Sequence, residues 1–238
     1  MTKAKRGDSA RRGSERRLRV RPRDARKRSI SSQKWLERQL NDPYVAAAKQ
    51  AGYRSRAAYK LSEMDDRYRL LRPGQRVVDL GAAPGGWSQV AAERVKAVEG
   101  RGQVVAIDVA EMEPIAGVLI LQLDFLDAHA PSKIGALLEQ AEAAVVLSDM
   151  AAPATGHAKT DHLRIMALAD AAAEFACDVL APGGSFLCKV LQGGTERALL
   201  DRLKRSFATV RHVKPPASRK ESSELYVLAT GFKGMRRA

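Results

Sequence analysis

Four residues of this chain have side chains suited to proton transfer and lie where ordinary core residues would be expected. Lys189 interrupts the apolar run Phe186–Leu191, and a lysine inside a buried strand is costly unless it is paired. Lys60 lies on an early helix, Asp149 follows an apolar strand, and Glu224 begins the last strand. An edge position or a simple ion pair would explain Lys189 structurally. The functional interpretation places two lysines and two acids beside one ligand, where a lysine near a second cation can act as a base.

A glycine-rich turn stands upstream of three of these residues. The segment Val77–Trp87 contains an apolar strand, a tight turn with Gly81, Gly85 and Gly86, and the start of a helix. Glycines let a ligand approach the backbone, and a helix start offers free N–H groups. The spacing matches neither G-x-G-x-x-G nor a P-loop, and an ordinary strand-to-helix connection is the alternative. We expect the turn to form one wall of a nucleotide-type site.

An acid also ends four successive predicted strands. These acids are Asp79, Asp108, Asp124 and Asp149. In a parallel sheet such positions meet at one edge, where ligands bind. Asp108 is well placed to accept hydrogen bonds from a ribose diol, and Asp124 from an adenine amino group. Acids repel pyrophosphate but suit an adenosine ligand with a positive centre, so the pattern favours S-adenosylmethionine (SAM) over NAD.

Alternating strands and helices must position these residues. Strands are predicted at about Arg76–Leu80, Val104–Asp108, Val118–Leu123, Ala144–Asp149, Ser185–Leu191, Thr209–Lys214 and Glu224–Thr230. Helices are predicted at about Ser31–Leu40, Arg56–Tyr68 with Ser55 as its N-cap, Trp87–Val95, Ser132–Ala141, His162–Leu180 and Glu196–Phe207. Breaks are expected within 41–53, and a turn at Pro182–Gly184. The alternation predicts an α/β fold with a doubly wound, mainly parallel sheet whose last two strands pair antiparallel.

The positive charge is concentrated at one end of the chain. The net charge is +14, and residues 1–30 hold 13 Lys/Arg and 3 Asp/Glu, or +10. We expect a disordered basic tail at 1–30 and one domain at 31–238. The tail suits contact with a polyanion such as RNA, although a solubilising tail or a mitochondrial transit peptide would share some of its features.

Membrane, secretory and metal-binding classes are not favoured by the sequence. No apolar run approaches the roughly 18 residues that span a bilayer, and residues 1–30 contain no apolar signal-peptide core. Cys177 and Cys188 lack metal-ligand spacing, and His157 and His162 lack an acidic partner of zincin type. We therefore expect reduced thiols, no metal and no membrane.

Several segments also carry a family pattern. They are Arg54–Leu61, Asp79–Gln89, Ser148–Ala151, Leu180–Phe186 with Lys189, Lys214–Pro215, Ser218–Arg219 and Ser222–Tyr226. On these segments the chain resembles the FtsJ/RrmJ (RlmE) family of ribosomal RNA 2′-O-methyltransferases over about residues 30–234. The resemblance implies a Rossmann-like SAM-dependent methyltransferase fold with seven strands. In one departure, Ala152 stands where the family often has proline, and Pro153 follows; we expect a locally altered loop and retained activity.

The resemblance implies site residues at the positions of this sequence that match the family's motifs. The family's catalytic tetrad falls on Lys60, Asp149, Lys189 and Glu224, with Lys189 as proton acceptor. Its SAM contacts fall on Gly85, Trp87, Asp108, Asp124 and Asp149.

The resemblance also implies a substrate and a setting. The substrate is a uridine in the A loop of large-subunit (23S) ribosomal RNA, methylated on the large ribosomal subunit by a monomer in a bacterial cytoplasm rather than a mitochondrial matrix. A 2′-O-methyltransferase for transfer RNA or mRNA caps, and a non-catalytic RNA-binding assembly factor, are the alternatives.

Overall fold

The computed structural model describes residues 30–138, 142–153, 155–192 and 197–234. Contacts within the chain separate two compact units, Met1–Ala46 and Ala47–Ala238. Helix α1 (Ile30–Leu40) lies in the first unit, and helix α2 (Pro43–Ala51) crosses the division. Residues 1–29 of the predicted basic tail lie outside the described residues, so the tail and the domain boundary at residue 30 stay predictions.

The second unit is built on a seven-stranded sheet. The strands are β1 (Arg76–Leu80), β2 (Gln103–Asp108), β3 (Val118–Gln122), β4 (Ala143–Ser148), β5 (Leu180–Leu191), β6 (Phe207–Val213) and β7 (Glu224–Phe232). Their spatial order is β3-β2-β1-β4-β5-β7-β6. The first five pair parallel, whereas β7 runs antiparallel between β5 and β6. The predicted α/β fold with an antiparallel seventh strand is confirmed.

Helices cover both faces of this sheet. They are α3 (Ala58–Tyr68), α4 (Gly86–Val95), α5 (Ala130–Leu137), α6 (Ala158–Val179) and α7 (Arg197–Ser206). Leu61 of α3 and Val90 of α4 pack in one core with Val77, while the other three helices pack in a second core with Val78. Adjacent residues of β1 thus point into opposite cores, as the period of a strand requires. Within the described residues, none of the helices combines the length and apolar character needed to cross a membrane.

The breaks expected around Pro43 and Gly52 are present, but helix α2 between them was not predicted, and the predicted cap of α3 was wrong. Pro43 begins α2 within the segment where breaks were expected, because a first helical position needs no N–H; the Asp42 carboxylate accepts the N–H of Tyr44 at 3.0 Å. Ser55 does not cap α3, since the N-cap is Ala57, without a side-chain hydrogen bond. A tighter turn precedes the helix instead, in which Ala58 N–H donates to the Ser55 carbonyl at 3.3 Å.

The predicted turn at Pro182–Gly184 lies inside β5. The register against β4 shifts between the pairs Ala143↔Leu180 and Val145↔Ser185, and Gly183 has φ +85°. A bulge absorbs extra residues while pairing resumes beyond it, which explains why a turn signal is found within a strand. The predicted start of the next helix at Glu196 lies outside the described residues.

Candidate active site

The pairing of β5 with β7 brings the most distant predicted site residues together. In the antiparallel register Lys189 lies opposite Tyr226, and Leu191 opposite Glu224. Glu224 and Tyr226 are two residues apart, so their side chains emerge on the same face of the strand. Lys60 reaches them from the first turns of α3, and Asp149 follows the end of β4, beside β5.

A continuous chain of hydrogen bonds joins all four predicted residues through Tyr226. Lys60 Nζ donates to Glu224 Oε2 at 2.7 Å and to the Tyr226 hydroxyl at 3.2 Å. That hydroxyl donates to Asp149 Oδ1 at 2.8 Å. Lys189 Nζ donates to the backbone carbonyl of Asp149 at 2.6 Å and stands 3.3 Å from Asp149 Oδ1. The predicted tetrad is therefore assembled as one unit.

Burial makes these contacts strong and sets the charge of the cluster. The four charged side chains are 10% to 18% exposed, so solvent screens their attraction only weakly. Burial alone would raise the pKa of Glu224, but the Lys60 ammonium and a hydrogen bond from Ser218 Oγ at 2.8 Å hold it below its usual value. Burial, followed by the Asp149 and Glu224 carboxylates, raises the pKa of Tyr226 well above its usual value. Tyr226 therefore stays a neutral donor between two ion pairs.

Tyr226 is the functional residue that sequence reasoning missed as a site member. Its ring is fully buried and packs 5.6 Å from the Trp87 ring. The Trp87 indole N–H donates to the Ala57 carbonyl at 2.8 Å and so ties the start of α3 to the glycine turn. The signal was the two-residue spacing from Glu224 on a strand, which places both side chains on one face.

A cavity of about 330 Å³ opens beside this cluster at the carboxyl ends of the strands. It is lined by Gly81, Ala83, Ile107, Asp108, Val109, Leu123, Asp124, Phe125, Asp149, Met150, Ala151 and Leu168. Three of the four predicted strand-end acids therefore face one space. Asp149 belongs both to this lining and to the lysine cluster, so a ligand in the cavity adjoins the lysines.

The donor set of the cavity fits SAM. Asp108 Oδ2 accepts the N–H of Ala83 at 2.9 Å and its Oδ1 that of Ala110 at 2.8 Å, which fixes the carboxylate. Asp124 Oδ1 accepts the N–H of Leu126 at 2.9 Å. Each carboxylate oxygen can accept further hydrogen bonds, which suits a ribose diol and an adenine amino group. The apolar wall at Phe125 suits the flat base, and the acids suit a cationic sulfonium.

Asp79 is the strand-end acid that does not line the cavity. It is fully buried beneath the turn and accepts a hydrogen bond from Ser88 Oγ at 2.6 Å. Burial, with smaller contributions from the charges of Asp149 and Asp108 and against the lowering effect of the Ser88 hydrogen bond, raises the pKa of Asp79 to about 7. Its role is therefore structural, since it holds the turn against α4.

The turn glycines have a packing role. A Cβ at Gly81 would lie 2.6 Å from Met150 Cγ, so only glycine lets the turn approach the loop after β4. Gly85 has φ +112°, and a Cβ there would lie 2.5 Å from Ile115 Cδ1. Arg54 fastens the turn by donating to the carbonyls of Pro84, Glu113 and Pro114 at 3.3, 2.6 and 2.7 Å.

Two of the predicted SAM residues, Gly85 and Trp87, are outside the described lining of the cavity, and their contact with SAM stays a prediction.

The loop that departs from the family pattern at Ala152 and Pro153 is held by Arg164, which donates to the Pro153 carbonyl at 3.3 Å, while Ala151 lines the cavity. In the described part of the chain, His, Cys, Asp and Glu side chains form no group of three or more that could ligate a metal.

The chain is similar to a family and to two proteins that are all described or named as methyltransferases. The family described as FtsJ-like methyltransferase matches residues 53–232. A protein of Bradyrhizobium diazoefficiens named Ribosomal RNA large subunit methyltransferase E is 65% identical over 92% of this chain and 95% of its own length. A protein of Parvibaculum lavamentivorans with the same name is 63% identical over 93% of this chain and 90% of its own length.

A solved structure has a similar fold. It is a Plasmodium falciparum protein described as a ribosomal RNA methyltransferase, with a TM-score of 0.69 and 30% identity, and the match covers 77% of this chain and all of that one.

Proposed function

The chain belongs to the FtsJ-like methyltransferase family, and from this membership we propose that it methylates the 2′-hydroxyl of a uridine in the A loop of 23S ribosomal RNA on the large ribosomal subunit. The methyl donor is SAM. The observation that carries the proposal is the unbroken network from Lys60 through Tyr226 and Asp149 to Lys189, next to the cofactor cavity. Asp149 belongs both to the network and to the lining of the cavity. It therefore marks the place where the methyl donor and the acceptor hydroxyl must meet.

Positioning is the main task of such a site. SAM supplies an activated methyl group, so the protein has to hold the acceptor hydroxyl in line with the bond that breaks. Asp108 and Asp124 hold the ribose and the adenine of the cofactor. Asp149 borders the cavity where the sulfonium end must lie, and its other contacts fix Lys189.

Lys189 takes the proton of the acceptor hydroxyl in this proposal. The neutral amine of Lys189 is the form that accepts this proton and becomes an ammonium ion; its Nζ lies 2.6 Å from the Asp149 carbonyl oxygen and 3.3 Å from Asp149 Oδ1, so its position relative to the cavity is fixed. Lys60, fixed by Glu224, orients the hydroxyl and the adjacent phosphate. The Tyr226 hydroxyl keeps the two lysine–carboxylate pairs in one geometry. Once Lys189 has taken the proton, two cations and two anions leave the cluster near neutral.

The substrate assignment is supported by the names and similarity of the relatives. Two proteins named for large-subunit ribosomal RNA methylation match this chain over nine-tenths of its length. Methylation of transfer RNA or of mRNA caps is supported by the general fold alone. A non-catalytic RNA-binding assembly factor would have no need of two buried lysines with fixed partners.

Phosphate contacts position RNA without reading its sequence. We assign such contacts to the basic residues 1–30 and to Arg56 and Lys60. Deletion of 1–30 is expected to weaken RNA binding and to flatten its dependence on salt, measured by filter binding at several salt concentrations. An unchanged salt slope would reject this role for the tail. A monomeric enzyme in a bacterial cytoplasm is the simplest setting, and sedimentation of the full chain measures the oligomeric state.

The decisive experiment uses large subunits that lack the modification. The purified protein and SAM are incubated with these subunits, and the modified nucleotide is mapped by mass spectrometry. A single 2′-O-methyluridine in the A loop is the expected product. A methyl group found only on added transfer RNA or capped mRNA would support those alternatives, and no transfer to any RNA would favour the assembly factor.

A further inference from the structure

Two arginines from distant parts of the chain meet on one aromatic ring away from the catalytic cluster. The Arg67 guanidinium carbon lies 5.2 Å from the centre of the Tyr68 ring, and that of Arg211 lies 5.6 Å from the same centre. Arg67 and Tyr68 end α3, and Arg211 lies on β6 at the edge of the sheet. The Tyr68 ring thus holds both guanidinium groups by cation–π contacts.

The surroundings of this pair are basic. Residues 67–76 contain four arginines and no acid, and residues 211–214 add Arg211 and Lys214, also without an acid. All six basic side chains are exposed; they are Arg67, Arg69, Arg72, Arg76, Arg211 and Lys214. We call the three residues that the ring contacts join, Arg67, Tyr68 and Arg211, the arginine surface.

The acids of α3 do not neutralise the pair. Asp65 and Asp66 lie 3.5 and 2.7 Å from Arg94, and the Glu63 carboxylate accepts the N–H of Ala217 at 2.7 Å. Among the described residues, neither Arg67 nor Arg211 forms a salt bridge. A high positive potential therefore remains on this side of the molecule, and it is complementary to a polyanion.

The arginine surface is continuous with the catalytic cluster. Lys60 and Tyr68 both lie on α3, eight residues and so about 12 Å apart along the helix axis. On the neighbouring strand, Val213 pairs with Tyr226 of the cluster, and Arg211 lies two residues before it. A strand of RNA whose acceptor ribose lies at Lys60 can therefore extend along α3 and β6.

We propose that the arginine surface binds the phosphate backbone of the RNA segment that flanks the methylated nucleotide. The proposal rests on the RNA methyltransferase function above and adds a second place of contact to it. Guanidinium groups pair with phosphate oxygens in bidentate geometry, and the two arginines at Tyr68 are held ready for such contacts. Contacts to phosphate set the position of the RNA and contribute affinity that depends on salt.

The test is the double variant Arg67→Gln/Arg211→Gln in the full chain. The matched control is Lys204→Gln/Arg205→Gln, which removes two exposed charges from α7, on the opposite face of the sheet. Dissociation constants for deproteinised large-subunit RNA are measured over a range of salt concentrations. Thermal unfolding and the dissociation constant for SAM show whether the variants are folded.

The double variant is expected to bind RNA about tenfold more weakly than wild type, with a salt slope shallower by about 1 to 2. Arg67→Lys/Arg211→Lys keeps the charges and should recover most of the slope. RNA affinity and slope equal to those of the control would overturn the proposal, and so would weakened binding to whole subunits with normal binding to deproteinised RNA, which identifies a protein partner. If wild type binds RNA as expected but forms no 2′-O-methyl group, the surface stands and the proposed function fails.

Discussion

The cofactor cavity and the lysine cluster share Asp149, but their side chains are held by different kinds of partner. In the cavity, Asp108 and Asp124 each accept the backbone N–H of the residue two positions further along the chain, and Asp108 also accepts that of Ala83 in the glycine turn. In the cluster, Lys60 and Glu224 are 164 residues apart and bond side chain to side chain. A cavity wall built from local backbone bonds tolerates changes elsewhere in the chain. A cluster built from distant side chains depends on the register of β5 and β7.

Asp149 is the residue whose loss should affect both regions and give the largest effect. Asp149→Ala removes the carboxylate that pairs with Lys189 and accepts from Tyr226, and part of the cavity wall, while the backbone carbonyl that accepts from Lys189 remains. We expect kcat to fall about 1,000-fold, within the range for loss of acid–base groups, together with weaker SAM binding. Single-turnover rates at saturating SAM and calorimetric titration of SAM measure the two effects. If only SAM affinity changes, the two regions are not joined through Asp149.

Asp108 tests the cofactor side alone. Asp108→Ala removes a charged acceptor for the ribose hydroxyls and should raise the Kd for SAM about 100-fold, since hydrogen bonds to charged groups contribute roughly 1.5–3 kcal/mol each. The rate at saturating SAM should change much less. Asp124→Ala is the matched comparison, with a smaller loss of affinity. A large loss of rate at saturating SAM would contradict the separation of the two regions.

Tyr226 tests the catalytic side alone. Tyr226→Phe keeps the buried ring against Trp87 but removes the hydroxyl between Lys60 and Asp149. We expect kcat to fall about tenfold, since the hydrogen bonds of the hydroxyl to the Lys60 ammonium and the Asp149 carboxylate are lost, with SAM affinity unchanged. The measurement is again the single-turnover rate beside a SAM titration. An unchanged rate would mean that the lysine–carboxylate pairs keep their geometry without the tyrosine.

Asp79 should show the smallest effect on catalysis and a distinct effect on stability. Its folded pKa of about 7 lies above the usual value of 3.8, so the fold binds its proton more tightly than the unfolded chain does. The stability from Asp79 is therefore present below about pH 4 and is lost as pH rises towards 7. Asp79→Asn should flatten this fall by roughly 1–3 kcal/mol between pH 5 and 8, measured by urea unfolding of both proteins. Parallel pH profiles of the two proteins would contradict the assignment.

The same difference between local and distant contacts explains what the sequence could predict. Strand β1 and the glycine turn are coded by neighbouring residues, so their place and that of the acids Asp108 and Asp124 at the carboxyl ends of the strands, where they line the cavity, were predictable. Tyr226 was missed because its partners become neighbours only through the pairing of β5 and β7. The ring of Trp87 is buried against Tyr226, and the predicted contact of this residue with SAM stays a prediction. The general preference of serine for N-cap positions also led to a wrong assignment of Ser55, because the tighter turn before α3 places the cap at Ala57.

Lys189→Ala tests the central claim most directly. The variant is incubated with SAM and large subunits that lack the modification, and methyl transfer and SAM binding are measured on the same preparation. Loss of transfer with SAM binding close to that of wild type is predicted, because Lys189 contacts Asp149 from the acceptor side and is outside the described lining of the cavity. Full turnover by Lys189→Ala would contradict the assignment of Lys189 as the proton acceptor and with it the catalytic role of the cluster.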